Sequence, residues 1–118
     1  MSEVDNVQAQ IAAGQSLSAQ ANIGTKSLVG IVVPANWTTA GISLQASLDG
    51  GATWFEVETA AGPPFAIGSL TGGTARYVAI DPTTLRGAVA IKVRSGTAAT
   101  PVNQTNAVTL QLVTRLVV

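Results

Sequence analysis

Apolar and polar residues alternate along most of this chain, and the alternation predicts β-strands. From Ile42 to Leu48 every second residue is apolar and the residues between are polar. Successive side chains of a strand point to opposite faces, so such a segment is expected to bury one face and expose the other. Further segments with this period, or with a short apolar run, lie at residues 55–57, 65–69, 75–80, 89–94 and 108–117.

Turn-forming residues separate these segments, among them Pro34, Asp81-Pro82 and Gly72-Gly73, and no helical periodicity is present. Short strands between closely spaced turns are typical of antiparallel sandwiches and barrels. The sequence therefore predicts an all-β fold, a single antiparallel β-sandwich of jelly-roll-like type with about eight strands. Residues 26–33 are more continuously apolar, which favours a central strand buried on both sides or at an oligomer contact.

The first 25 residues are open to two interpretations. Apolar residues alternate over 7–11 and again over 17–23, with Ala12-Ala13-Gly14 as a candidate turn. We expect an N-terminal hairpin over residues 1–25, followed by a sandwich domain over 26–118. The alternative is a polar arm that becomes ordered on contact with a neighbour and forms part of an interface.

The segment from Ser47 to Trp54 predicts a specific hairpin turn. Asp49 can accept hydrogen bonds from backbone N–H groups of its own turn. Gly50 and Gly51 can adopt the positive φ that a tight turn requires. Ser47 and Thr53 stand where the strands leave the turn, and Trp54 can cover it.

This segment resembles the Asp-box, a Ser-x-Asp-x-Gly-x-Thr-Trp turn found in sialidases and in many unrelated β-proteins. The resemblance implies an architectural device and no particular reaction. Sialidase catalysis uses an arginine cluster and a tyrosine spread over a far longer chain, whereas Arg76-Tyr77 has no such context here.

Composition favours a protein that packs against others. The 118 residues include only six basic and six acidic side chains, with no net charge. Low charge promotes association, and the scattered basic residues predict neither a nucleic-acid nor a membrane surface. A protein that is simply rich in Ala because its genome is GC-rich would have a similar composition.

Candidate chemistry is sparse. The chain has neither Cys nor His, so thiolate chemistry, the commonest general base and the commonest transition-metal ligand are lacking. Glu56 and Glu58 are interpreted as the solvent face of a hairpin, and Lys92 and Arg94 as a solvated strand face. We therefore expect no enzyme, no catalytic residues, no cofactor and no metal; a hydrolase ranks third among the functional hypotheses.

Two aromatic residues leave another function open. Trp37 and Tyr77 could stack sugars in the manner of sandwich-type carbohydrate-binding modules, although packing in the core or an interface is the favoured role for Trp37. The N-terminus has no apolar segment of the kind that a secretory signal requires, so synthesis in a cytoplasm is expected.

A wider resemblance rests on the order of several segments: residues 27–38, the turn at 47–54, then residues 76–82, 91–97 and 101–104. In this order they resemble small β-sandwich proteins encoded among the structural genes of tailed phages, prophages and phage-like particles. The resemblance implies a virion structural protein, made in the host cytoplasm, that oligomerises and binds other capsid or tail subunits. Head decoration, head spike or fibre, and neck or tail component are all open, with a carbohydrate-binding module on a phage appendage as the alternative.

Overall fold

Nine β-strands and no helix form in the part of the chain that the structure describes. The structure is a computed structural model that describes residues 4–115 except 60, 61, 63 and 86. The strands are β1 (Val4–Ile11), β2 (Ala21–Asn22), β3 (Ser27–Val33), β4 (Ala40–Ser47), β5 (Phe55–Glu56), β6 (Ala66–Leu70), β7 (Arg76–Ala79), β8 (Ala90–Ser95) and β9 (Val108–Arg115). No membrane-spanning helix is found among these residues.

The strands form two antiparallel sheets that pack face to face, so the predicted antiparallel sandwich is confirmed. Sheet A has the strand order β1-β9-β3-β7, and sheet B has the order β2-β8-β4-β5, with β6 also paired to β4. The predicted extension of the last strand to residue 117 falls partly outside the described residues, in which β9 ends at Arg115.

Side chains that alternate inward from both sheets form the core. In β9, Val108, Leu110 and Leu112 are fully buried, while Thr109 and Gln111 between them are exposed. On the same sheet β3 adds Ile31 and Val33, and strands β4 and β8 of sheet B contribute the facing layer with Ile42, Leu44, Ile91 and Val93. The period of two therefore assigned the buried face of β4, β8 and β9 correctly.

The described residues 4–25 do not pair with one another as the strands of the expected N-terminal hairpin. Strand β1 pairs with β9 along its whole length, from Val4 opposite Arg115 to Ile11 opposite Val108. The turn at Ala12, where the N–H of Gln15 donates to the Ala12 carbonyl, carries the chain across to sheet B, and one backbone hydrogen bond, from the Ala19 N–H to the Gln10 carbonyl at 3.0 Å, leads back to β1. In sheet B, β2 pairs with β8, with Ala21 opposite Ile91. Residues 4–25 thus belong to both sheets of the sandwich.

Strand β3 is central, as the apolar run predicts, because it lies between β9 and β7. Burial on its two sides is unequal. Ile31 and Val33 are fully buried in the core, whereas Val32 on the outward side is only half-buried.

A buried glutamine ties the loops at one end of the sandwich together. The Gln104 side chain is fully buried. Its Oε1 accepts from the Thr38 N–H at 2.7 Å, and its Nε2 donates to the Thr38 carbonyl at 3.1 Å and to the Ser95 hydroxyl at 2.7 Å. Its backbone exchanges hydrogen bonds with Gly14 and Gln15 of the crossing turn. One residue therefore joins the loop before β4, the end of β8 and the corner between the sheets.

Candidate functional surfaces

The turn between β4 and β5 is held by hydrogen bonds within the segment 47–54. The buried Ser47 hydroxyl donates to Asp49 Oδ1 at 2.8 Å and accepts from the Gly51 N–H at 2.8 Å. Asp49 Oδ1 also accepts from the Thr53 N–H at 2.9 Å. Gly50 and Gly51 have φ values of 78° and 111°, in the left-handed region that favours glycine.

These bonds change the electrostatics of Asp49. Hydrogen bonds from the Thr53 N–H and then from the Ser47 hydroxyl lower the pKa of the Asp49 carboxyl to about 2, because both favour its charged form. The Asp49 carboxylate is thus engaged in hydrogen bonds within its own turn.

Other residues fix the turn against sheet B. The Trp54 indole N–H donates to the Gly51 carbonyl at 3.0 Å, and the Lys92 ammonium lies 4.6 Å from the centre of the Trp54 ring. The Gln20 amide donates to the Gly50 carbonyl at 3.1 Å. Trp54 therefore covers the turn and receives a cation–π contact, so its role here is architectural.

Arg94 is not the solvated side chain that the sequence suggested. It is only 8% exposed, and its guanidinium makes two parallel hydrogen bonds to the Glu56 carboxylate, at 2.7 and 2.6 Å. Gln45 donates to the same carboxylate at 2.7 Å. The hydrogen bonds from Arg94 lower the pKa of Glu56, and the same bonds raise the pKa of Arg94. The pair links β8 to β5 on the outer face of sheet B.

Two carboxylates for which no common role was predicted line one cleft. Glu58 and Asp81 border a space of about 530 Å³ together with Thr59, Thr83 and Thr84. Asp81 Oδ1 accepts from both the N–H and the hydroxyl of Thr83, at 3.0 and 2.8 Å. Among the described residues no group of three or more His, Cys, Asp or Glu is placed to hold a metal ion.

An apolar groove lies beside the turn. It measures about 230 Å³ and is lined by Ala46, Leu48, Phe55, Glu56, Val57, Thr84, Leu85 and Ala88. Leu48 and Phe55 are 62% and 56% exposed, although the alternation had placed Leu48 on the buried face of β4. Strand β4 ends at Ser47, so Leu48 already belongs to the turn and leaves the core.

The two aromatic residues considered for glycan stacking differ in the structure. Trp37 is 3% exposed in the core, and its indole N–H donates to the Ala40 carbonyl at 3.2 Å, so it cannot stack on a sugar. Tyr77 is 56% exposed on the edge strand β7, and its hydroxyl donates to the Val29 carbonyl at 3.3 Å. The candidate pair is therefore reduced to Tyr77.

Comparison with known proteins gives a fold likeness alone. No family model matches the chain, and no curated protein matches it. Among solved structures, a "putative alpha-L-fucosidase" from Bacteroides thetaiotaomicron is similar over 92% of this chain with a TM-score of 0.53 and 12% sequence identity. The matched stretch spans 22% of that protein's length. At this identity the likeness supports the sandwich fold and carries no residue roles.

Proposed function

We propose that this protein is a structural component of a virion or phage-like particle and acts through contacts with other subunits. The observation that carries the proposal is the apolar groove, where Leu48 and Phe55 expose more than half of their surface to water. Exposed apolar side chains grouped at one place are typical of protein–protein contacts. Head decoration, head spike or fibre, and neck or tail positions are all covered by this proposal.

Two further features support it. Zero net charge removes long-range repulsion between copies of the chain and between the chain and its neighbours. The segments that resemble small virion β-sandwich proteins also include framework elements of this fold, namely β3, β7, β8 and the buried Gln104.

The test is a double substitution, Leu48→Ser with Phe55→Ser. Light scattering after size-exclusion chromatography measures self-association, and co-sedimentation with particles purified from the encoding strain measures binding. We expect wild type to associate or co-sediment and the double variant to do neither. Tyr77→Ser is the matched control, because Tyr77 is as exposed as Phe55 but lies on sheet A. A monomeric wild type that binds no particle would overturn the proposal.

A carbohydrate-binding module is the second candidate function. The observation that favours it is the exposed ring of Tyr77 on a sheet face. A fold shared with part of a protein named as a fucosidase is compatible with this function. Glycan-array binding by wild type that disappears in Tyr77→Ala would promote it over the assembly role.

A further inference from the structure

The outward face of sheet A carries a row of side chains that crosses all four strands. Gln8 lies opposite Gln111, Gln111 opposite Val32, and Val32 opposite Tyr77. Both glutamines and Tyr77 are exposed, and Val32 is half-buried. Neighbouring strands lie about 4.8 Å apart, so the row spans about 14 Å.

The Tyr77 ring lies over a glycine of the neighbouring strand. A Cβ atom at residue 30 would coincide with the ring, so the ring occupies the space that any other side chain at Gly30 would fill. The hydrogen bond from the Tyr77 hydroxyl to the Val29 carbonyl fixes the far end of the side chain. The ring thus lies over Gly30 of β3, and Tyr77 remains 56% exposed to solvent. A ring that is already oriented loses little conformational freedom when a ligand stacks on it.

The side of the face formed by β1 and β9 is mostly polar and almost uncharged. In the part of the chain that the structure describes, the side-chain amides of Gln8 and Gln111 have no hydrogen-bond partner, so both can donate to and accept from a ligand. Exposed Gln10 and Thr109 continue the same surface as the next cross-strand pair. The alternation of side chains assigns residues of each strand of sheet A to its outward face. Among those that the structure describes, Arg115 at the end of β9 is the one charged residue.

We propose that this face of sheet A binds a neutral oligosaccharide of a few residues, with a sugar ring stacked on Tyr77 and hydroxyl groups bonded to Gln111 and Gln8. The C–H face of a sugar is attracted to the negative face of an aromatic ring, and amides match hydroxyl groups as both donors and acceptors. The described residues of this face provide no row of positive charges that could neutralise an anionic ligand. The inference rests on the second candidate function and gives it a site and a ligand class.

The test is affinity electrophoresis through native gels that contain a neutral β-glucan, mannan or galactan, with hyaluronan as the anionic comparison. We expect at least one neutral polysaccharide to retard wild type and hyaluronan not to retard it. Tyr77→Ala should weaken retardation about tenfold, since stacking on an aromatic ring is worth up to about 1.5 kcal/mol. Gly30→Val should weaken it as well, because its side chain displaces the ring without removing it.

Two controls separate loss of the site from loss of the fold. Tyr77→Phe keeps the stacking ring and should retain most of the binding, whereas Ser69→Ala alters an exposed side chain on β6 of sheet B and should change nothing. Melting temperatures show whether each variant is folded. Retardation by no polysaccharide would overturn the carbohydrate-binding function together with this site. Binding that survives Tyr77→Ala, is lost in Ser69→Ala or requires hyaluronan would overturn the site alone.

Discussion

Gln104 is a polar residue in a place where apolar residues dominate, and it is fully buried because each of its polar groups has a partner. We predict that Gln104→Leu lowers the free energy of unfolding by at least about 2 kcal/mol, because it leaves buried polar groups of Thr38 and Ser95 unpaired. Urea unfolding measures the change.

The exposed neighbour provides the control for this prediction. Asn103→Leu should change the free energy of unfolding by less than about 0.5 kcal/mol, since that side chain lies at the surface. Equal urea midpoints for the Gln104 variant and wild type would show that the network does not stabilise the fold.

Asp49 should make stability depend on pH. Its folded pKa of about 2 lies below the ordinary value of 3.8, so folding favours its charged form. This contribution is complete above about pH 4 and disappears as the pH falls towards the folded pKa of about 2.

The matched variant for Asp49 is Asp49→Asn, which keeps one carbonyl oxygen but does not titrate. The melting temperature of wild type should exceed that of the variant at neutral pH, and the difference should shrink over this acidic range. Glu56, whose pKa is also lowered, titrates in both proteins and cancels in the difference. A difference that is constant with pH would contradict the role of the charge.

The contrast between Trp37 and Tyr77 shows why the candidate site could be predicted only in part. Both are aromatic residues that could stack on a sugar, and the sequence favoured packing in the core or an interface for Trp37 without showing what either ring contacts. Their tertiary contacts distinguish them. The Trp37 indole N–H donates to the Ala40 carbonyl in the core, whereas Tyr77 lies over Gly30 of the neighbouring strand. A glycine within an apolar strand was the available signal, because it leaves room for a ring from across the sheet.

At the scale of elements, the ion pair of Glu56 and Arg94 attaches the short strand β5 to β8. Glu56→Ala would leave the nearly buried guanidinium with only the Ser43 hydroxyl, at 3.3 Å, as a partner among the described side chains. We predict a loss of about 1–2 kcal/mol in the free energy of unfolding, less than for a fully buried pair because the Glu56 side chain is 39% exposed.

A double-mutant cycle isolates this pair. Adding Arg94→Met to Glu56→Ala should recover part of the loss, since it removes the buried charge that Glu56 no longer neutralises. Strictly additive effects of the two substitutions would mean that the ion pair does not couple the strands.

Strand positions were predictable, and strand partners were not. Alternation located β4, β8 and β9 to within a few residues, because a sandwich strand must bury one face. The alternation in β1 shows which of its faces is buried but not which strand lies beside it. A hairpin with residues 17–23 was therefore as consistent with the alternation as the observed pairing with β9. The choice is made by contacts over a hundred residues apart, such as Val4 with Arg115, which no local pattern records.

At the scale of the whole molecule, the two proposed binding surfaces lie on opposite sheets. The apolar groove lies beside β5 on sheet B, and the amide row with Tyr77 crosses sheet A. A particle subunit could therefore be held through one sheet while it presents the other to a ligand. Substitutions on either surface should leave the other unaffected, because no residue is shared between them.

The pairing of β1 with β9 also makes a circular permutation of this fold possible. Val4 and Arg115 are direct antiparallel partners, and the Cα atoms of such partners lie about 5 Å apart. A linker of a few residues between Val4 and Arg115 would join the first and last strands of this fold, and the chain could then be opened in an exposed loop such as residues 97–100. Such a circular permutant would keep every strand pair described here. We expect it to fold, because these pairs do not require one particular order of the strands along the chain.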